Sequence, residues 1–294
     1  MIVTADPGEL RALLQDARRR GKTVGLHAAM GALHGAHTAN IAKMAAECDV
    51  ATVAITRSSE AVQGGTCGRL PHAGNLESDL EGDRKGDLAR AKEAGAGIVF
   101  VPNGKAVKGD GRLGGGAVRH LGGYFEGGSR PGHFDALASA VAGLLGLVGP
   151  CYAYFGEKDY PRLLAVRRLV REQSLPVVVV ACPTVRETDG LALSRRNAYL
   201  HPPERAAAPA LYWALLAGKR AVDERGERDA KAVSAKMRSA AESQPLLDLD
   251  YARVADPLTM EPLGTISGEV RLLIAGRLGR VHLVDNLAAG TTED

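Results

Sequence analysis

A chain of 294 residues, 45% hydrophobic and 24% charged, has material for one large or two ordinary globular domains, and no apolar segment approaches the ~18 residues that a membrane span needs. The net charge of +3, with no Lys/Arg run interleaved with aromatics, argues against nucleic acid as a partner. The four cysteines, Cys48, Cys67, Cys151 and Cys182, stand singly, which speaks against a zinc site or a disulfide framework.

Residues 1–7 lack a basic region followed by an apolar core, so a cytoplasmic location is expected. Asp6-Pro7-Gly8-Glu9 then offers an N-cap, a first-turn proline and a carboxylate suited to the helix dipole. With Leu10, Leu13, Leu14 and Ala17 on one face, it predicts a helix to about residue 20. Residues 22–26 predict a strand, and Met30-Gly31-Ala32-Leu33-His34-Gly35-Ala36-His37 leads from it into a helical spacing over 41–47. Two histidines three apart in a first turn share a face, where unpaired N–H groups carry partial positive charge suited to phosphate. The same spacing fits a capping histidine beside a solvated one, and the octapeptide alone does not decide between them.

Residues 50–55 predict a strand, 56–75 a long loop, 76–94 a helix weakened by Gly82 and Gly86, and 97–102 a strand stopped by Pro102. Residues 104–128 are dense in glycine and read as a turned surface excursion. Residues 136–148 are small and apolar nearly all round, which marks a buried helix. A strand over 152–155, a helix over 160–172 and a four-valine strand over 177–180, apolar on both faces, continue the alternation. The whole predicts a doubly wound, Rossmann-like parallel α/β sheet over residues 1–184. Amphipathic helices over 203–218 and 229–242, with strands over 251–254, 270–274 and 280–284, predict a smaller C-terminal α+β domain over 185–294.

Three further stretches stand at or soon after strand ends, where open α/β sheets bind ligands. They are Gly156-Glu157-Lys158-Asp159, Pro183-Thr184-Val185-Arg186-Glu187 and Leu193-Ser194-Arg195-Arg196-Asn197. Each alone is also what a solvated strand end looks like. Joined to His34 and His37, their ammonium, guanidinium and hydroxyl groups have the chemistry of a nucleoside triphosphate site without the Gly-x4-Gly-Lys-Ser/Thr loop. Such groups neutralise the charge that develops when a carboxylate attacks an α-phosphorus and pyrophosphate leaves.

Met30-Gly31-Ala32-Leu33-His34-x-x-His37, Arg130-Pro131-x-His133-Phe134, Tyr154-Phe155-Gly156-Glu157-Lys158-Asp159-Tyr160, Pro183-Thr184-Val185-Arg186-Glu187, Asp189-Gly190-Leu191-Ala192-Leu193-Ser194 and Arg196-Asn197 follow in the order and spacing of one family. The chain resembles the pantothenate synthetase family from about Val24 to Asn286, through Arg277-Leu278-Gly279 and Leu283-Val284-Asp285-Asn286. The resemblance implies a cytoplasmic, homodimeric ligase in the HIGH-type nucleotidyltransferase superfamily, dependent on ATP and Mg²⁺. It makes an acyl-adenylate from a small carboxylic acid, and an amine then displaces AMP. Neither nucleic acid nor membrane is a partner. His34, His37, Lys158 and Arg196 are implied as catalytic. Met30, Gly156, Asp159, Val185, Ser194 and Arg195 join them around ATP, and the C-terminal domain is implied to act as a lid hinged near Pro183-Thr184.

The acid pocket is implied to include Ala28, Met30, Arg57, Ala61, Arg130, His133, Leu137 and Arg162, and here the chain departs from the family pattern. Ala61 stands where a glutamine is expected, unless the loop slips to offer Gln63, and Arg162 replaces a second glutamine. Ala36 replaces a glycine, Arg195 a serine, and Ala28-Ala29 a Pro-Thr pair, with His27 just upstream. Unpaired buried polar groups cost about 1–3 kcal/mol each, so these changes lead to the expectation of an acid other than pantoate. Arg162, with Arg57 or Arg195 beside it, suits a second negative group. The alternatives are a pantothenate synthetase that recognises pantoate through other groups, and a nucleotide-binding relative that has lost catalysis.

Overall fold

The computed structural model describes residues 1–30, 32–56, 84–102 and 133–290, without the side chains of Met30 and of residues 133–138. It divides into two compact units, Met1–Glu157 with Pro161–Cys182, and Lys158–Tyr160 with Pro183–Asp294.

In the first unit the described residues form a six-stranded sheet of β1 (Ile2–Thr4), β2 (Val24–Met30), β3 (Val50–Thr56), β4 (Ile98–Phe100), β5 (Cys151–Gly156) and β6 (Val177–Cys182). Its order is β1-β4-β3-β2-β5-β6 and every pairing is parallel. Five helices accompany it among the described residues: α1 (Pro7–Arg19), α2 (Gly35–Glu47), α3 (Arg84–Glu93), α4 (His133–Val148) and α5 (Tyr160–Glu172). The order reverses between β2 and β5, so the ends of these two strands flank the switch point where such sheets open a crevice.

Local chemistry explains the elements. Asp6 caps α1 by accepting from the Glu9 N–H at 2.9 Å, Pro7 enters its first turn, and Leu10, Leu14 and Ala17 are buried. Helix α2 lies close on β2 because residue 25 is glycine. A Cβ there would stand 2.5 Å from Met44 Cγ and 3.1 Å from Cys48 Sγ. Ala29, Ile41, Met44, Val53, Val99 and Tyr154 are buried together in the core that results.

In this unit two strands differ from expectation. Strand β1 was not predicted, since three residues are too few to show a period, and at the sheet edge Ile2 and Val3 remain exposed. Strand β6, expected to be covered on both faces, is instead the other edge, and Val178 is 55% exposed. Strand β3 takes in Thr56, the first residue of the loop predicted over 56–75. Its residues 57–75, the start of the 76–94 helix and the glycine-dense stretch at 104–128 lie outside the described residues.

The second unit packs α6 (Pro202–Ala207), α7 (Ala210–Asp223) and α8 (Ala230–Glu242) with an antiparallel sheet of β7 (Leu247–Ala255), β8 (Val270–Leu278) and β9 (Val281–Ala289). The single helix predicted over 203–218 is two, parted at Pro209, whose ring nitrogen has no hydrogen to continue the ladder. Asp229 caps α8 by accepting from the Lys231 N–H at 2.8 Å. Leu211, Leu215, Val233, Met237, Leu272 and Ile274 form the centre of a separate core.

Candidate active site

In the first unit the groups of interest gather where β2 gives way to α2. His34 is the N-cap of α2, and its Nδ1 accepts from the Ala36 N–H at 3.3 Å. His37, one turn on, returns the bond: its Nδ1 accepts from the His34 N–H, also at 3.3 Å. This reciprocal cap holds the two rings 4.0 Å apart between centroids, tilted by 44°. An Nδ1 that accepts leaves the proton of a neutral imidazole on Nε2, so each ring presents an N–H donor from its far edge. No acidic residue lies in the first turn of α2, and its positive end is therefore not neutralised from within the helix.

Two residues that the sequence reading did not single out fix this corner. Asp87 on α3 is buried and accepts from the Leu33 N–H at 2.9 Å, pinning the residue before His34, while Arg90 Nη2 donates to the same oxygen at 3.0 Å. Asn40 is buried on the next turn of α2, and its Nδ2 lies 3.5 Å from where a Cβ on Gly156 would stand. Glycine at 156 thus lets α2 and the end of β5 approach one another. A third residue, His27 on β2, is only 3% exposed. Its Nδ1 donates to the Tyr154 carbonyl at 3.0 Å, and its ring lies 5.6 Å from that of His37. Burial drives its pKa down to about 4, against a smaller upward pull from the Tyr154 bond, so it is neutral at neutral pH.

The cationic residues gather in the second unit. Lys158 Nζ donates to the Val284 carbonyl at 3.3 Å and Arg196 Nη1 to the His282 carbonyl at 3.0 Å. Residues two apart on β9 place these heads roughly 7 Å apart along the sheet edge. Asn286 secures Lys158 by donating from Nδ2 to its carbonyl at 2.9 Å, and accepts from Arg271 Nε at 2.8 Å. Arg186 grips Asp285 in a two-pronged pair at 2.6 and 3.0 Å, stacks over the Tyr212 ring at 4.2 Å, and so ties the segment after β6 to β9. That segment folds back on itself: the Leu193 N–H donates to the Val185 carbonyl at 2.9 Å. Ser194 Oγ then caps the short 3-10 helix Arg195–Tyr199 by accepting from the Arg196 N–H at 3.2 Å.

The structure therefore brings His34, His37 and Gly156 to one corner of the first unit, and Lys158, Val185, Ser194 and Arg196 to β9 and the hairpin beside it in the second. Asp159 ends the 3-10 turn after β5 and Arg195 opens the one after Ser194. Ala28 lies on β2 and Arg162, half-buried, in the first turn of α5. Arg57, Ala61 and Arg130 lie outside the described residues, as do the side chains of Met30, His133 and Leu137.

The sequence model of the family described as "Pantoate-beta-alanine ligase" matches residues 2–288. The chain is 39% identical over 291 residues to a pantothenate synthetase of Rubrobacter xylanophilus, covering 96% of each. Among solved structures, a pantoate-beta-alanine ligase (pantothenate synthetase) of Thermus thermophilus superimposes with a TM-score of 0.82 at 36% identity, covering 98% of this chain and 99% of that one. The fold is shared by a Francisella tularensis pantoate-beta-alanine ligase complexed with beta-gamma ATP and beta-alanine, at TM-score 0.70, 23% identity and 100% coverage of both chains.

Proposed function

The chain belongs to the pantoate-beta-alanine ligase family, AMP-forming amide-bond ligases, and we propose that it condenses pantoate with β-alanine at the expense of ATP. The observation that carries this reading is likeness over nearly the whole chain to relatives named pantothenate synthetase, joined to a helix start capped by two histidines beside the switch point. A pantoate carboxylate oxygen bonds the α-phosphorus of ATP as the bond to the pyrophosphate oxygen breaks. The β-alanine nitrogen then bonds the acyl carbon, loses a proton and expels AMP.

The Nε2–H edges of His34 and His37 are suited to donate to ATP phosphate oxygens, with the N-terminus of α2 adding its partial charge. Lys158 Nζ donates to the Val284 carbonyl and Arg196 Nη1 to the His282 carbonyl, and both cationic heads are suited to triphosphate oxygens, because charge-assisted bonds are the stronger ones. Ser194 and Arg195 are assigned to the same phosphates, Gly156 and Asp159 to the ribose, and the Val185 backbone to adenine. Met30, Ala28, Arg57, Ala61, Arg130, His133, Leu137 and Arg162 are assigned to the acid. Among the described residues no group of three or more His, Cys, Asp or Glu is placed to hold a metal ion, so Mg²⁺ is taken to arrive on the triphosphate, where it neutralises phosphate charge. A cytoplasmic homodimer belongs to the same reading, by resemblance.

Pantoate takes precedence over another acid because a relative covered over 96% of its length is named pantothenate synthetase, whereas the contrary expectation rests on single substitutions, chiefly Ala61, which lies outside the described residues, and Arg162. ATP–pyrophosphate exchange with Mg²⁺, offering pantoate beside a panel of mono- and dicarboxylic acids, tests the choice. Exchange fastest with pantoate is the expected result. Faster exchange with a dicarboxylic acid would overturn it and return Arg162 to the centre of specificity. Under saturating pantoate, His34→Ala and His37→Ala should each slow exchange about 10²–10³-fold, the usual loss for one donor to developing charge.

A further inference from the structure

His27 carries a polar atom for which the fold, as it stands, has no use. Its Nδ1–H is committed to the Tyr154 carbonyl, so Nε2 bears a lone pair, and that atom is buried with no hydrogen-bond partner among the described residues. An acceptor left so costs about 1–3 kcal/mol, and at 3% exposure neither solvent nor a ligand reaches it readily. Among the described residues, these groups face it. Strand β3 sets Val53 beside it, β5 contributes Tyr154, whose hydroxyl is turned to Glu47 at 2.8 Å and Cys48 at 3.5 Å, and α2 contributes His37, with His34 beyond. Among the described residues, the ring near enough to supply a donor is His37, and a centroid separation of 5.6 Å leaves about one hydrogen-bond length between facing nitrogens.

We propose that His27 is a positioning residue, the acceptor against which His37 settles when it takes up a proton to meet the triphosphate. At rest, the His37 Nδ1 accepts from the His34 N–H and so carries no proton. An imidazolium has no lone pair to keep that bond. Protonated by solvent as the polyanion binds, the His37 ring turns, gives one N–H to His27 Nε2 and the other to a phosphate oxygen. The His34 N–H is released in the same movement and becomes a further donor at the helix N-terminus. His27 remains neutral, so the added charge sits on the ring nearer the phosphates. The inference rests on the assignment of His37 to ATP made above.

Titration calorimetry of ATP binding to the full chain near neutral pH, repeated in two buffers of different ionisation enthalpy, reads the protons taken up. Wild type is expected to take up a measurable fraction of a proton per ATP, and His37→Ala to take up none. His27→Asn keeps a donor for the Tyr154 carbonyl but has no atom at the Nε2 position. It should lose at least about half of that uptake and slow the kcat of exchange about tenfold, with KM for ATP little changed. His27→Gln returns an acceptor near that position and should recover most of both. Unchanged uptake in His27→Asn, with His37→Ala abolishing it, overturns the role of His27 alone. Equal losses in His27→Asn and His27→Gln also overturn it, in favour of a packing role. Unaltered ATP binding and uptake in His37→Ala removes the assignment of His37 and this inference with it.

Discussion

Burial pushes His27 from its ordinary 6.5 down to about 4, and the folded chain therefore holds fewer protons than the unfolded one between those values. Stability falls as pH drops through that window, and the penalty, about 3 kcal/mol when complete, is fully developed below it. Replacing His27 by Asn should remove this stretch of pH dependence. Urea midpoints at pH 7 and pH 5 would then differ less than in wild type, and an undiminished difference would show that other groups carry the acid sensitivity. The sequence made His34 and His37 conspicuous because both the motif and its spacing are local. It did not reveal Asp87, 54 positions from the Leu33 N–H it accepts, on a helix so charged that it reads as a solvated face. His27 lay in plain view beside the motif, but nothing in its neighbours told of the Tyr154 carbonyl or of the bare nitrogen opposite.

Among elements, α2 and β9 hold groups assigned above to ATP, and each depends on a specific tertiary contact. The helix sits on β2 through the gap at Gly25, so Gly25→Val should force Met44 and Cys48 aside, cost about 1–3 kcal/mol in urea unfolding, and weaken ATP binding by displacing the two histidines. A stable, fully active Gly25→Val would contradict the packing argument. On β9, Asp285 is 4% exposed and paired with Arg186, and Asp285→Ala leaves a guanidinium uncompensated in a half-closed setting. A loss of about 3–5 kcal/mol is expected, since breaking a buried pair costs far more than its net worth. Helices and central strands were readable in advance because caps and apolar periods are strong over ten or more residues. Strand β1 and the break at Pro209 escaped, the one too short for a period and the other set inside an otherwise continuous helical pattern.

Across the whole molecule each unit has its own core, one laid on a parallel sheet and one on an antiparallel sheet, and the alternation of elements announced this change of texture. The positive groups are distributed over both, with no ready-made metal cluster among the described residues. If Mg²⁺ arrives on the triphosphate, as proposed, chelation by EDTA should stop exchange and excess Mg²⁺ restore it, while calorimetry of Mg²⁺ alone into the protein shows no binding. A site that takes up Mg²⁺ without nucleotide would contradict this. The central claim, that a pantoate carboxylate attacks the α-phosphorus of ATP before β-alanine arrives at the acyl carbon, is open to a direct isotopic measurement. With both pantoate carboxylate oxygens replaced by oxygen-18, and β-alanine, ATP and Mg²⁺ supplied, mass spectrometry should find a single labelled oxygen in AMP, with the other kept in the amide carbonyl of pantothenate. Label in inorganic phosphate beside ADP, or AMP formed without label, would contradict it.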